Sequence, residues 1–292
     1  MILLRTVEQV RTWVAERHRC GARLALVPTM GALHRGHLAL VEGARQQGHG
    51  VVLSVFVNPT QFAPGEDFGR YPRDLERDAA MAAAAGVDVL FAPEPGEMYP
   101  GAEPSVTVEV GSLGAVLEGQ YRPTFFRGVA TVVSKLLIAL RPDVAVFGQK
   151  DAQQVVVVRR LVAELLLPVE ILCVPTVRDP DGLALSSRNI YLSPRERAAA
   201  PVLQRALGGA VEAVRAGQRG TAAVEAALRE VLDAEPLAQT EYAMVVSAGD
   251  LRPVERLEGR ILLLLAVRIG GTRLLDNACL DVAVERVTLA LP

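Results

Sequence analysis

A chain of 292 residues, half of them hydrophobic and only 4% aromatic, is long enough to bury a sizeable core and points to aliphatic α/β packing. A formal net charge of −2 gives no general pull toward nucleic acid or an anionic membrane surface. No apolar run reaches the length of a membrane span, and the charged segment after Met1 is unlike a secretory leader. Cys20, Cys173 and Cys279 are too far apart for a disulfide framework or a zinc cluster, so a reducing cytoplasm is expected.

Thr6 to Arg19 carries Val7, Val10, Trp13 and Val14 at helical spacing, with Gly21 as a stop. Leu24-Ala25-Leu26-Val27 reads as a buried parallel strand ended by Pro28. Gly31 then permits a tight turn, and His34-Arg35-Gly36-His37 opens a helical pattern running through Leu38 to Glu42. Residues three apart on a first helical turn share a face, so His34 and His37 point the same way with Gly36 between them. A helix N-terminus suits phosphate, and imidazoles there can donate to phosphate oxygens as charge develops.

Val51 to Val57 is a second strand, running into Asn58-Pro59-Thr60-Gln61-Phe62. Asn58 and Gln61 are amides that suit a substrate bearing hydroxyl and carboxylate groups, although Asn58 fits an Asx-turn equally well. Asp74 to Ala85 is an alanine-rich helix stopped by Gly86, and Val87 to Phe91 is a third strand. Pro93, Pro95, Pro100 and Pro104 mark a surface excursion, followed by a short strand candidate at Ser105 to Val110. Arg127 to Leu140 is helical.

The fourth strand, Asp143 to Phe147, leads to Gly148-Gln149-Lys150-Asp151 and a helix from about Ala152 to Leu167. Here Gly148 allows close backbone approach, Lys150 brings a mobile positive charge, and Asp151 can accept from ribose hydroxyls. Gln154 follows Asp151 by three and shares its face. A solvated turn with a capping aspartate is the plainer alternative. Val169 to Val174 is a fifth strand. Leu185-Ser186-Ser187-Arg188-Asn189 then offers two hydroxyls and a guanidinium for phosphates, or else an ordinary capping segment before a helix at Pro194.

The strand–helix alternation predicts an α/β fold with a Rossmann-like doubly wound parallel sheet over residues 1–187. Helical patterns near 194–217 and 221–234, then strands near Tyr242–Ser247, Ile261–Ile269 and Thr272–Leu275, predict a smaller α+β domain over 188–292. No dinucleotide fingerprint, P-loop or nucleophile elbow is present.

Pro-Thr-Met-Gly-Ala-Leu-His-x-Gly-His, Val-Asn-Pro-x-Gln-Phe, Tyr-Pro-Arg, Phe-Gly-x-Lys-Asp-x-Gln-Gln and Ser-Ser-Arg-Asn occur in that order. Together they make the chain resemble the pantothenate synthetases (pantoate–β-alanine ligases), nucleotidyltransferases with a His-x-Gly-His signature, over nearly its whole length. The resemblance implies an ATP site at Met30, Gly31, Ala32, Leu33, His34, Arg35, Gly36 and His37. It adds Gly148, Gln149, Lys150 and Asp151, Val177 at the adenine, and Leu185, Ser186, Ser187 and Arg188 on the phosphates. His37 would be the proton donor, with His34, Lys150 and Arg188 also catalytic. Gln61, Gln154 and Asn58 would hold pantoate, with Gln61 also at β-alanine. ATP with Mg²⁺, a pantoyl-adenylate intermediate, a homodimer and a C-terminal lid hinged near Arg188 are implied as well; the metal ligands are not.

Two positions depart from the family pattern. Leu185 stands where Met is common, a volume-conserving change. Thr124-Phe125-Phe126 replaces a common Gly-His-Phe. Another adenylate-forming nucleotidyltransferase and a non-catalytic nucleotide binder are the alternative readings. No basic or anticodon-binding extension favours tRNA, and the intact His34, His37 and Lys150 favour retained chemistry.

Overall fold

The computed structural model describes residues 1–101, 104–283 and 286–292. In chain order the elements are β1 (Ile2–Leu4), α1 (Val7–Arg19), β2 (Leu24–Thr29), α2 (Arg35–Gln46), β3 (Gly50–Val55), α3 (Leu75–Ala84) and β4 (Val89–Phe91). Then come the single turns α4 (Pro95–Met98) and α5 (Glu118–Tyr121), α6 (Phe125–Leu140), β5 (Val144–Gly148), α7 (Ala152–Glu164) and β6 (Glu170–Val174). The remainder is α8 (Pro194–Ala199), α9 (Val202–Arg215), α10 (Thr221–Asp233), β7 (Ala238–Ser247), β8 (Gly259–Ile269), β9 (Thr272–Val282) and β10 (Val287–Leu289).

The chain divides into two compact units: Met1–Gly148 with Val157–Val174, and Gln149–Val156 with Pro175–Pro292. The break expected after residue 187 thus falls inside the second unit, and α7 is shared between the two.

In the first unit, six strands among the described residues form a parallel sheet in the order β1-β4-β3-β2-β5-β6. Ala25, Val27, Val51, Leu53, Val144 and Val146 are fully buried on these strands, as a sheet covered on both faces requires. From β2 the order runs outward through β3 and β4 on one side and through β5 and β6 on the other. The switch point therefore lies between β2 and β5, and doubly wound sheets bind ligands outside the carboxyl ends of such strands. The turn carrying His34 leaves β2 there, and Gly148 ends β5.

In the second unit β10-β9-β8-β7 form an antiparallel sheet, with β8 and β9 in continuous register from Gly259–Val282 to Ile269–Thr272. Leu203, Leu207 and Val214 of α9 and Leu228 and Leu232 of α10 pack with Leu263, Leu265 and Val267 in one apolar core.

Several local expectations are corrected. β2 does not stop at Pro28 but continues to Thr29. The Thr29 carbonyl faces β3, so Pro28 faces β5, where pairing ends at Leu26 and a missing N–H removes no ladder bond. Ser105–Val110 is not a strand; the Val108 amide donates to Thr131 Oγ1 instead. The helix expected over 194–217 is broken after Ala199, where Pro201 precedes α9. β1 and β10, three residues each, are additional strands, too short to show a period.

Candidate functional site

The turn after β2 is built by side chains that accept from its backbone. Gly31 lies at φ +82°, and a Cβ there would fall 2.9 Å from Asp78 Oδ2 and 3.0 Å from Val55 Cγ1. Thr29 Oγ1 accepts from the Gly31 amide at 3.2 Å and donates to the Ser54 carbonyl at 2.7 Å. Ala32, at φ +50°, donates its amide to Asp78 Oδ2 at 2.8 Å, and Leu33 donates to Oδ1 at 2.7 Å.

His34 is the N-cap of α2. Its Nδ1 accepts from the Gly36 amide at 3.1 Å, while His37 Nδ1 accepts from the His34 amide at 3.3 Å. This is a capping box made by two imidazoles, whose rings stack with centroids 4.0 Å apart and planes inclined by 29°. An Nδ1 that accepts cannot carry a proton, so each neutral ring holds its proton on Nε2 and is a donor there. The shared face expected from the three-residue spacing is thus realised as a stacked pair.

Asn58 caps the 3₁₀ turn Pro59–Gln61 at the end of β3 and is 1% exposed. Its Nδ2 donates to Gln61 Oε1 at 3.0 Å and to the Gly128 carbonyl at 3.1 Å; its Oδ1 accepts from Tyr99 Oη at 2.9 Å and from Thr60. Both ends of the Asn58 amide are thus engaged within the protein, and one of its bonds supports Gln61. Gln61 Nε2 donates to Met30 Sδ at 3.2 Å, bringing the amide turn against the histidine turn.

Arg122 anchors that turn from the other side. It donates to the Gln61 carbonyl at 3.1 Å and grips Glu66 in a bidentate pair at 2.7 and 2.6 Å. Its guanidinium lies 3.9 Å from the Phe125 ring centroid, so Phe125, one of the departures from the family pattern, is a cation–π platform. Gly128 is required on α6, because a Cβ there would overlap the Thr60 carbonyl.

Gly148 ends β5 in the first unit, and the second unit carries the remaining candidates. Gln149–Asp151 is a 3₁₀ turn leading into α7, and Asn277 Nδ2 on β9 donates to the Gln149 carbonyl at 2.9 Å and the Lys150 carbonyl at 3.0 Å. Lys150 Nζ stands 3.6 Å from Asp151 Oδ1. Gln154 is half-buried on the first turns of α7. The Val177 carbonyl accepts from the Leu185 amide at 3.0 Å, closing a hairpin that also pairs Arg178 with Ala184. Arg178 makes a bidentate pair with Asp276 at 2.6 and 2.8 Å, and the Asp276 side chain is only 2% exposed. Ser186 Oγ accepts from the Arg188 amide at 3.3 Å and caps the turn Ser187–Tyr191. Ser187 and Arg188 are half-buried.

The first unit therefore groups Met30–His37 with Asn58 and Gln61, and the second groups Gln149–Asp151, Gln154, Val177 and Leu185–Arg188. Asp78, Asn277 and the Arg178–Asp276 pair are absent from the residues singled out in the sequence. A signal exists for Asp78, Asp276 and Asn277, each a polar side chain inside an otherwise apolar helix face or strand; Arg178 lies in a polar loop after β6 and carries no such signal. Among the described residues no group of three His, Cys, Asp or Glu side chains is disposed to hold a metal ion.

The family model described as Pantoate-beta-alanine ligase matches residues 2–279. The pantothenate synthetase of Moorella thermoacetica is 52% identical over 282 residues, covering 97% of this chain and 99% of that protein. The crystal structure of pantothenate synthetase from Thermus thermophilus superposes with a TM-score of 0.89 at 49% identity, covering 95% of this chain and 98% of that one. The pantoate-beta-alanine ligase of Francisella tularensis, complexed with beta-gamma ATP and beta-alanine, gives 0.77 at 32% identity over 95% and 97% of the two chains. On both sequence and fold, this chain belongs to the pantoate–β-alanine ligase family.

Proposed function

We infer that the protein joins pantoate and β-alanine to give pantothenate, with ATP cleaved to AMP and pyrophosphate. The observation that carries this reading is the family match over nearly the whole chain, with His34, His37, Gln61, Lys150, Gln154 and Arg188 of the motifs present. In the first step a pantoate carboxylate oxygen attacks the α-phosphorus in line. The bond from that phosphorus to the bridging oxygen breaks, pyrophosphate leaves, and pantoyl adenylate remains. In the second step the β-alanine amine attacks the activated carbonyl, AMP leaves, and the nitrogen loses a proton.

The protein needs no nucleophile of its own; it positions the reactants and stabilises charge. His34 and His37 offer Nε2 donors to the phosphates, His37 acting as the proton donor, and Lys150 and Arg188 neutralise charge on the departing pyrophosphate. Met30 to His37, Gly148 to Asp151, Val177 and Leu185 to Ser187 bind ATP, which arrives as its Mg²⁺ complex. Mg²⁺ keeps several water and phosphate oxygens and takes few carboxylates, so the nucleotide and water supply most of its ligands. Gln61 and Gln154 hold pantoate, and Gln61 also meets β-alanine.

The C-terminal domain serves as a lid that keeps water from the adenylate, and the working form is a cytoplasmic homodimer. Identical solution scattering with and without an ATP analogue overturns the lid, and a monomer in sedimentation overturns the dimer. The main test incubates the protein with MgATP, pantoate and β-alanine and measures AMP and pantothenate. Pantoate-dependent exchange of pyrophosphate into ATP without β-alanine is expected as well. ATP binding with no turnover, or exchange that ignores pantoate, overturns the reading.

A further inference from the structure

We propose that Asp78, on a helix away from the signature motif, is a positioning residue that sets the geometry and tautomers of His34 and His37. Asp78 is 1% exposed, and a carboxylate buried to that degree is tolerated only when hydrogen bonds satisfy it. Its two oxygens accept from two consecutive amides, those of Ala32 and Leu33 at 2.8 and 2.7 Å. The neighbouring Arg77 holds the same turn by donating to the Leu33 carbonyl at 3.3 Å.

Three consecutive amides are thereby committed to side-chain acceptors: Ala32 and Leu33 to Asp78, and His34 to His37 Nδ1. The last bond assigns the His37 tautomer, and it forms only if the peptide before His34 is correctly oriented; Asp78 fixes the two peptides leading into it through the Ala32 and Leu33 amides, and Arg77 holds its carbonyl. Ala32 is kept at φ +50°, a conformation an alanine rarely adopts unless its surroundings impose it. The carboxylate also fills the space beside Gly31 that a side chain would take. Asp78 acts through the loop and not on the reacting atoms.

What the histidines do rests on the ligase reading; their tautomers and the role of Asp78 in fixing them do not. The chain has four histidines, so ¹⁵N-histidine labelling gives His18 and His49 as internal references. In the wild type His34 and His37 are expected as Nε2–H tautomers. In Asp78→Asn one oxygen becomes an NH₂ donor facing an amide N–H, so one amide loses its acceptor. The His34 and His37 signals should then shift toward a tautomer mixture while His18 and His49 stay put.

Over the same change kcat for pantoate-dependent pyrophosphate release should fall about 100-fold, with KM for pantoate unchanged. Asp78→Glu, which keeps both oxygens, should restore the tautomer signature and part of the rate. Should Asp78→Asn fail to fold, Arg77→Ala is expected to move the same two signals in the same direction by less. A wild type in which His34 and His37 already exchange tautomers overturns the proposal. So does a folded Asp78→Asn with wild-type histidine signals. A wild type that shows the fixed tautomers but makes no pantothenate overturns the ligase reading and leaves the positioning role standing.

Discussion

Asn58 Nδ2 donates to Gln61 Oε1 at 3.0 Å, and this bond decides which end of the glutamine amide is offered outward. With Oε1 engaged and one N–H on Met30 Sδ, Gln61 has its second N–H left to recognise a carboxylate or hydroxyl oxygen. Asn58→Asp removes that donor and buries a carboxylate against the Gly128 carbonyl and Gln61 Oε1. The expected penalty is that of an unsatisfied buried polar group, about 1–3 kcal/mol. Steady-state kinetics should show it as a rise of roughly 5- to 150-fold in KM for pantoate, and an unchanged KM would remove Asn58 from control of Gln61.

Direct loss of a charge-stabilising donor should act on rate instead. Lys150→Ala and His37→Ala are each expected to slow pyrophosphate release by about 10²–10³-fold while the fold survives. Rapid-quench measurement of the first turnover checks this, because it isolates adenylate formation from the later steps. Gln154→Ala should chiefly weaken pantoate binding, and wild-type affinity in that variant would contradict its assignment.

The Lys150 turn depends on a residue 127 positions away, since Asn277 Nδ2 bridges the carbonyls of Gln149 and Lys150. Asn277→Ala removes these two bonds and the one its Oδ1 accepts from Gln149 Nε2 at 3.4 Å; loss of the two carbonyl bonds, at about 1 kcal/mol each, makes the variant roughly 30-fold slower. If Asn277 works through Lys150, the two substitutions are not additive: in a Lys150→Ala background Asn277→Ala should cost little more. Full additivity in that cycle would show that Asn277 serves only the packing of β9.

These relationships mark what the sequence discloses and what it does not. The candidate turns follow apolar strands, so His34, Gln61 and Lys150 are legible as polar clusters at strand ends. Groups that hold those turns are recruited across the fold, and no local pattern announces the partner: Asp78 reaches back 46 residues to Ala32. Local signals also mislead where tertiary context overrides them. Pro28 stays in β2 because its missing N–H faces an unpaired side. Ser105–Val110 has strand-like composition and forms no ladder among the described residues. Pro201 interrupts a helical period that continues on both sides of it.

The three cysteines should separate by access. Cys20 is exposed, Cys173 and Cys279 are buried, and burial pushes the Cys173 thiol up to about 11. The thiolate is the reacting species, so iodoacetamide at neutral pH should label Cys20 alone in the native protein and all three after denaturation. Intact-mass measurement reads the number of adducts, and native labelling at Cys173 would contradict its burial.

His49, before β3, should make stability depend on pH below neutrality. It is 6% exposed, and its Nδ1 has no hydrogen-bond partner among the described residues. Burial first, and the Arg23 charge second, hold its pKa below the ordinary 6.5, against the opposing pull of Asp143 and Glu170. The unfolded chain therefore takes up a proton at a pH where the folded chain does not. Stability rises with pH wherever the unfolded state binds more protons, so it is lost as pH falls through about 6.5 and continues to fall until the folded-state pKa is reached. His49→Gln removes this contribution. Urea midpoints at about pH 7.5 and pH 5.5 should differ more for the wild type than for the variant, and equal differences would mean that His49 titrates as freely in the folded protein as in the unfolded one.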